Sequence, residues 1–135
     1  MKNYKELLIW QKGMDIWKKT YQLSKELPRE EKYGLTSQVQ RASASIPANI
    51  AEGSARESEK NYHYFLQVAL GSCFELETFI LGMVDMEMVN KVKADELLSK
   101  IDEEQKMLMS FMKKVKPPHN SQLATRNSKL KTPNS

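Results

Sequence analysis

The chain is poor in the residues that most constrain turns and chemistry. Of its 135 residues, one is cysteine, five are glycine, five are proline and two are histidine. A single cysteine excludes an internal disulfide and a cysteine-based zinc cluster within one chain. So few glycines and prolines disfavour a turn-rich β-sandwich, and a helical protein is expected. The sequence has no glycine-rich phosphate loop and no nucleophile elbow.

The sequence contains no residue pattern typical of a metal site or of a catalytic nucleophile. Glu59 and His63 are four residues apart, but a di-iron bundle needs two Glu-x-x-His motifs and two further carboxylates. The pair is therefore interpreted as neighbours on a helix surface. Cys73 lies on an apolar helical line and is predicted to be a buried small hydrophobe, not a nucleophile. We expect no enzyme, no catalytic residue, no metal, no cofactor and no small-molecule substrate.

The most apolar stretch, residues 62–88, is long enough to suggest a membrane span. Glu75 and Glu77 lie in its middle. An acid at the centre of a spanning helix costs about 2.5–3.5 kcal/mol, so two of them argue against a span. The N-terminal residues alternate charged and apolar types and lack the apolar run of a signal peptide. The sequence therefore predicts a cytoplasmic protein without a membrane partner.

Charge is distributed unevenly along the chain. There are 21 basic and 17 acidic residues, a net charge of +4 and a pI of about 9.1. Residues 116–135 hold four bases and no acid, so residues 1–115 are formally neutral. That segment also has few large apolar residues and is predicted to be a disordered basic tail. Within the remainder, residues 1–32 sum to +3 and residues 62–90 to −4.

Apolar residues recur at helical spacing in four segments. These segments are residues 5–27, 36–55, 58–88 and 94–115. They predict an all-α, antiparallel up-and-down four-helix bundle over residues 1–115, followed by the tail. Thr36 or Ser37 is the expected N-cap of the second helix and Ser58 that of the third. Pro47 lies inside the second helix, where a kink is expected.

Three of these helices carry more apolar surface than one bundle core can cover. The first helix has two seams, one through Leu7, Trp10, Met14, Trp17 and Tyr21 and another through Ile9, Gly13, Ile16, Thr20, Leu23 and Leu27. The second helix adds a line of small residues, and the third is apolar nearly all round and expected to be buried nearly all round. Surplus stripes of this size usually mark an interface. We predict a homo-oligomer whose candidate interface residues are Ile9, Ile16, Leu23, Leu27, Ala44, Ala48 and Ala51; a monomer with a wide core is the alternative.

Polar residues follow one line of the second helix. We predict a structural polar network of Gln38, Arg41, Ser45, Asn49 and Glu52, with Glu75 of the third helix as a partner for Arg41. A buried unpaired charge would be very costly, which favours that pairing. The alternative is that Arg41 faces a surface or channel and contacts phosphate.

Basic residues of the first helix form a second candidate site. Lys5, Lys12 and Lys19 are spaced seven apart, about 10.5 Å along a helix axis, and Lys18 and Lys25 form a neighbouring line. Such a row could follow a phosphate backbone, and repetition in an oligomer would strengthen binding steeply. An ordinary solvated helix face is the alternative. The nucleic-acid candidates are Lys5, Lys12, Lys18, Lys19, Lys25 and Arg41.

Several motifs resemble one known family. They are Trp10-Gln11-Lys12, Tyr33-Gly34-Leu35-Thr36-Ser37-Gln38, Arg41-Ala42, Ser45-Ile46-Pro47-Ala48-Asn49-Ile50-Ala51-Glu52-Gly53 and Ala69-Leu70-Gly71-Ser72-Cys73-Phe74-Glu75-Leu76-Glu77-Thr78. Over about residues 5–115 the chain resembles the four-helix-bundle family of 23S ribosomal RNA intervening-sequence proteins, some of which are encoded inside bacterial ribosomal RNA genes. That family is also similar to the accessory protein of diversity-generating retroelements, a pentameric barrel that binds nucleic acid. The resemblance implies a four-helix bundle, a homopentamer and nucleic-acid binding.

Two functions therefore stand as expectations. The first is a non-enzymatic, homo-oligomeric bundle protein that binds structured RNA or DNA by charge and shape, with little base readout. The second is a protein-interaction or self-assembly scaffold without a nucleic-acid role.

Overall fold

Four helices make up almost all of the computed structural model, which describes residues 3–115. They are α1 (Leu8–Ser24), α2 (Leu35–Ser54), α3 (Glu59–Asp85) and α4 (Lys91–Lys114), with single 3-10 turns at Tyr4–Glu6 and Arg29–Glu31. The described part of the chain contains no strand. The predicted all-α four-helix fold is confirmed, and the predicted tail lies outside the described residues.

The helix ends follow from local capping chemistry. Ser58 caps α3, because its hydroxyl accepts a hydrogen bond from the backbone N–H of Asn61 at 3.1 Å, as predicted. Asn90 caps α4 in the same way through the N–H of Lys93 at 3.0 Å. The predicted Thr36 or Ser37 cap is wrong, since α2 starts earlier and its N-cap position is Gly34, without a side-chain cap.

Each helix packs against two neighbours in a closed ring. α1 contacts α2, α2 contacts α3, α3 contacts α4 and α4 contacts α1, whereas the two diagonal pairs make no close approach within the described bundle. Ion pairs fix α1 antiparallel to α4: Lys12 binds Glu103, Asp15 lies 3.3 Å from Lys100, and Glu26 lies 3.5 Å from Lys93. Because α1 and α3 are diagonal, their outer faces point in opposite directions.

The core corrects the prediction for α1. Its second seam is buried in the bundle, including Ile9, Ile16, Leu23 and Leu27, which were predicted as interface residues. The first seam instead turns outward toward Trp17 and Tyr21. The reason is helix separation: a Cβ on Gly13 would lie only 3.4 Å from the backbone of Pro47. The seam that contains glycine allows α1 and α2 to approach closely, which a seam with two tryptophans would prevent.

The other helices bury one line each. The predicted apolar line of α2 is buried in full: Val39, Ala42, Ile46, Ile50 and Gly53. On α3 the inner line runs from Leu66 to Met83, but the opposite side is exposed, so the expectation of burial all round is wrong. By length and composition α3 is the one described helix that could cross a membrane. The core helix of a bundle meets the same criterion, and the inner line of α3 packs against its neighbours here.

Candidate nucleic-acid interface

The outer face of α1 combines aromatic and basic side chains. Trp17 is 38% exposed and Tyr21 50% exposed, although both are large aromatic residues. They lie four residues apart, so their rings occupy successive turns of one face. A shallow open groove runs along this face, lined by Met14, Trp17, Lys18, Tyr21, Gln22 and Lys25. We refer to these six residues as the α1 stripe.

The two lysines of the α1 stripe have no acidic partner in the described part of the chain. Within residues 3–115 neither Lys18 nor Lys25 forms an ion pair, and both are exposed. The ammonium of Lys25 lies 5.4 Å from the centre of the Tyr21 ring, in range of a cation–π interaction. The stripe therefore offers two positive charges beside two exposed rings.

The other predicted basic residues are placed elsewhere. Lys12 binds Glu103 of α4, and Lys19 lies 3.6 Å from Asp15. Two of the three lysines in the predicted Lys5, Lys12 and Lys19 row are therefore paired with acids, one from α4 and one from α1 itself. Lys5 is exposed on the 3-10 turn before α1, well away from the stripe.

Arg41 does not join the predicted pair with Glu75. Its guanidinium donates to the Gln38 side-chain oxygen at 2.5 Å, and Arg41 is exposed. Glu75 is also exposed, so neither charge needs the other to offset burial. The pairing was expected because Glu75 was placed in a buried line; Ser72 of that line is buried, but Glu75 itself faces solvent.

Ser45 and Asn49 of the predicted network meet, and Ser72 of α3, which the prediction did not include, joins them. The hydroxyls of Ser45 and Ser72 are 2.8 Å apart and join α2 to α3. Asn49 donates to both the carbonyl and the hydroxyl oxygen of Ser45 at 2.8 Å. Glu52 is separate and binds Arg56 at 2.8 Å on the surface. The polar line of α2 is therefore a short link to α3 flanked by surface pairs.

The small residues of α2 remain accessible. Ala48 is exposed, and Ala44 and Ala51 are half-buried, so these three predicted interface residues lie at the surface of the bundle. Ile9, Ile16, Leu23 and Leu27, by contrast, are already covered within one chain.

A second outer face, on α3, was missed by the sequence reasoning. Phe74 is 46% exposed, and Tyr64 and Leu81 are exposed as well. Together with polar and small neighbours they form the α3 stripe, which consists of Tyr64, Gln67, Gly71, Phe74, Thr78, Leu81 and Asp85. The signal was present as steps of three and four residues along the chain. It was hidden because every line of this helix is rich in apolar residues.

Buried titratable groups lie on the inner sides of α3 and α4. Cys73 is fully buried, as predicted. Burial, together with the nearby Glu104 and Glu77 carboxyls, raises the pKa of the Cys73 thiol. A thiol held protonated is a poor nucleophile. The described residues contain no cluster of three or more side chains suited to a metal ion.

Comparison with known proteins gives both a family and a structural relative. The model of the 23S rRNA-intervening sequence protein family matches residues 5–110. Among solved structures, the chain is similar to a protein of unknown function from the S23 ribosomal protein family of Bacteroides thetaiotaomicron VPI-5482. The two share 24% sequence identity with a TM-score of 0.73, over 78% of this chain and 99% of that one. No curated protein matches the chain. Since the family model spans most of the sequence, from the turn before α1 to the last turns of α4, the chain belongs to the 23S rRNA-intervening sequence protein family.

Proposed function

We propose that this protein binds RNA, and that the α1 stripe makes the contact. The observation that carries the proposal is the pairing of exposed Trp17 and Tyr21 with two lysines that have no acidic partner in residues 3–115. The family description, which refers to intervening sequences of 23S rRNA, supports RNA as the ligand.

The chemistry of the stripe suits unpaired bases beside a phosphate backbone. An exposed aromatic ring that stacks on a base contributes about 1–3 kcal/mol, with little preference among bases. Each lysine that neutralises a phosphate adds about 0.7–0.9 to the slope of log affinity against log salt. With Lys18 and Lys25 the stripe contributes a slope of about 1.4 to 1.8 per chain, so a single copy binds weakly.

The test is fluorescence anisotropy with a labelled RNA hairpin that carries an unpaired loop, from about 50 to 200 mM salt. We expect Lys18→Glu/Lys25→Glu to weaken binding strongly and to flatten the salt dependence. Trp17→Ala/Tyr21→Ala should weaken binding while leaving the salt slope unchanged, because stacking releases no counterions.

The matched control is Lys113→Glu/Lys114→Glu, which makes the same change in charge at two exposed positions of the last turn of α4. Equal loss of binding in the two double variants would show that only total charge matters, and would count against the stripe. An absence of binding by the unchanged protein at low salt would refute the proposal.

A second candidate function, self-assembly, is favoured by the opposite chemistry of two opposite faces. The α1 stripe is aromatic and basic. The α3 stripe is largely apolar, includes Asp85 and lies next to Glu75, and residues 62–90 contain no lysine or arginine. Two different complementary faces on opposite sides of a chain produce head-to-tail contacts, and these close into a ring when the rotation allows. The homopentamer implied by the family resemblance is an assembly of this type.

Light scattering coupled to size-exclusion chromatography tests this second function. Phe74→Glu/Leu81→Glu should reduce the molecular mass to that of one chain, while Met109→Glu, at a residue of α4 with a similar exposure of 43%, should leave it unchanged. The charge exchange Lys18→Glu/Lys25→Glu with Glu75→Lys/Asp85→Lys separates the two functions. Restored assembly without restored RNA binding would show that the two stripes pair with each other in the assembly, and that RNA binding depends on the positive charge of Lys18 and Lys25.

A further inference from the structure

One acidic side chain lies in the interior of the bundle. Glu104 of α4 has no solvent exposure, and neither of its carboxyl oxygens has a hydrogen-bond partner within residues 3–115. Its neighbour in sequence, Glu103, reaches the surface and binds Lys12. Glu104 lies three residues after Ile101 and four before Leu108, on the buried line of α4, so helical spacing itself directs this acid toward the core.

Glu104 lies where three helices come together. A Cβ built on Gly13 of α1 would be 3.2 Å from the Glu104 Oε2 atom and 3.3 Å from the side chain of Ile46 of α2. α3 contributes Cys73, whose thiol responds to the charge of Glu104. The carboxyl is therefore enclosed by glycine, aliphatic and thiol groups, none of which donates a hydrogen bond to it.

The charged groups around this position do not stabilise an ionised carboxylate. Lys12 of α1 is the one nearby cation that favours ionisation, but its ammonium binds Glu103. The titratable residues of α2, Arg41 and Glu52, are exposed. On α3, Glu77 accepts a hydrogen bond from Gln105 at 3.3 Å and adds negative charge to the same region. An ionised Glu104 would thus be a buried charge without a hydrogen-bonded partner, which is strongly unfavourable.

We propose that Glu104 makes the bundle pH-sensitive: the helices pack around its protonated carboxyl, and loss of that proton loosens α4 from its neighbours α1 and α3. The geometry agrees with the electrostatics, because burial raises the pKa of Glu104 to about 8 and outweighs the opposing effect of Lys12. In the unfolded chain the same group titrates at about 4.3. Between these values the folded state holds a proton that the unfolded state has lost, so stability falls as pH rises.

The expected dependence is steep. Across the window from about pH 4.3 to 8, this one group raises the unfolding equilibrium constant about tenfold per pH unit. The contribution of Glu104 to stability is complete below its unfolded pKa of about 4.3 and is lost once the pH exceeds its folded pKa of about 8. A protein of this kind is less stable at pH 8 than at pH 6, opposite to the usual behaviour of a salt-bridged carboxylate.

The test compares urea unfolding of the wild-type protein and of Glu104→Gln at constant ionic strength. The pH runs from about 5 to about 9, which covers most of the interval between the unfolded and folded pKa values of this carboxyl. The wild-type midpoint should fall with pH, whereas that of Glu104→Gln, which keeps the shape without the ionisation, should change much less. Glu96→Gln is the matched control and should retain the wild-type slope, because this residue of α4 lies at the surface and its replacement leaves the Lys12–Glu103 pair intact.

A measurement on the unchanged protein covers the case in which Glu104→Gln fails to fold. The carboxyl carbon resonance of Glu104, followed by NMR against pH, should have its titration midpoint well above the reference pKa of a glutamate, about 4.3. A Glu104 resonance that titrates near 4.3, or wild-type and Glu104→Gln slopes that coincide, would overturn the proposal.

Discussion

At the scale of single residues, glycine determines how closely these helices pack. Gly53 is buried near the end of α2, where a Cβ would lie 2.8 Å from the Cβ of Phe65 and 3.0 Å from the ring of Tyr62. Cβ atoms are fixed to the backbone, so this overlap cannot be relieved by rotating a side chain. Gly53 therefore sets the distance between α2 and α3.

Gly53→Ala should lower the free energy of unfolding by about 1–3 kcal/mol, because the added methyl forces α2 and α3 apart. Gly82→Ala is the control, since its Cβ would meet only the flexible end of Met86 at 3.8 Å. That change should be neutral or stabilise by up to about 1 kcal/mol through helix propensity. Chemical denaturation measures both, and a stabilised Gly53→Ala would contradict the packing argument.

At the scale of helices, a short hydrogen-bonded link joins α2 to α3. Ser45 bonds to Ser72 across the two helices, and Asn49 holds the Ser45 hydroxyl in place. Ser72→Ala should lower the free energy of unfolding by about 0.5–1.5 kcal/mol, because Ser45 loses its cross-helix partner. Ser99→Ala, at an exposed position of α4, provides a control that should be close to neutral in the same denaturation experiment.

Helix ends provide a second prediction at this scale. Asn90→Ala should cost about 1 kcal/mol, since the Lys93 N–H loses the acceptor that caps α4. Ser37→Ala separates the sequence expectation from the structure: a true cap would show a similar loss, but Ser37 lies inside α2 and is exposed. We expect Ser37→Ala to leave the unfolding midpoint nearly unchanged. A loss of stability as large as that of Asn90→Ala would contradict the start of α2 at Leu35.

At the scale of the whole molecule, net charge and fold are carried by different parts of the chain. The charge of +4 equals that of residues 116–135, whereas residues 1–115 are neutral and contain all four helices. Deletion of residues 116–135 should therefore lower the pI toward neutrality and leave the helical circular dichroism and the melting temperature unchanged.

The same deletion bears on the proposed function. RNA binding should persist in the shortened chain, because Trp17, Tyr21 and the two free lysines are retained. Loss of binding would assign the contact to the basic tail instead of the α1 stripe. A melting temperature that also fell would show that the tail packs on the bundle.

Much of the architecture is local information, and the sequence by itself determined it. The four helices, the Ser58 cap and the buried lines of α2 and α3 follow from hydrophobic spacing and capping chemistry, which act within a few residues. The sequence also identified the aromatic and basic residues of α1, but it did not show that Trp17, Tyr21, Lys18 and Lys25 share one exposed face. Cys73 was placed in the core for the same local reason.

Only the tertiary structure decided which face of α1 is buried and which of its lysines meet acids. Periodicity gave α1 two seams of equal quality, and the close approach at Gly13 selected the one that is buried. The antiparallel register of α1 and α4 brought Glu103 to Lys12, whereas Lys18 and Lys25 have no acidic partner among residues 3–115. Helical spacing places Glu104 on the buried line of α4, but only the structure shows that none of the described residues donates a hydrogen bond to its carboxyl. These outcomes depend on fit and charge between segments far apart in the chain, which no pattern within one helix contains.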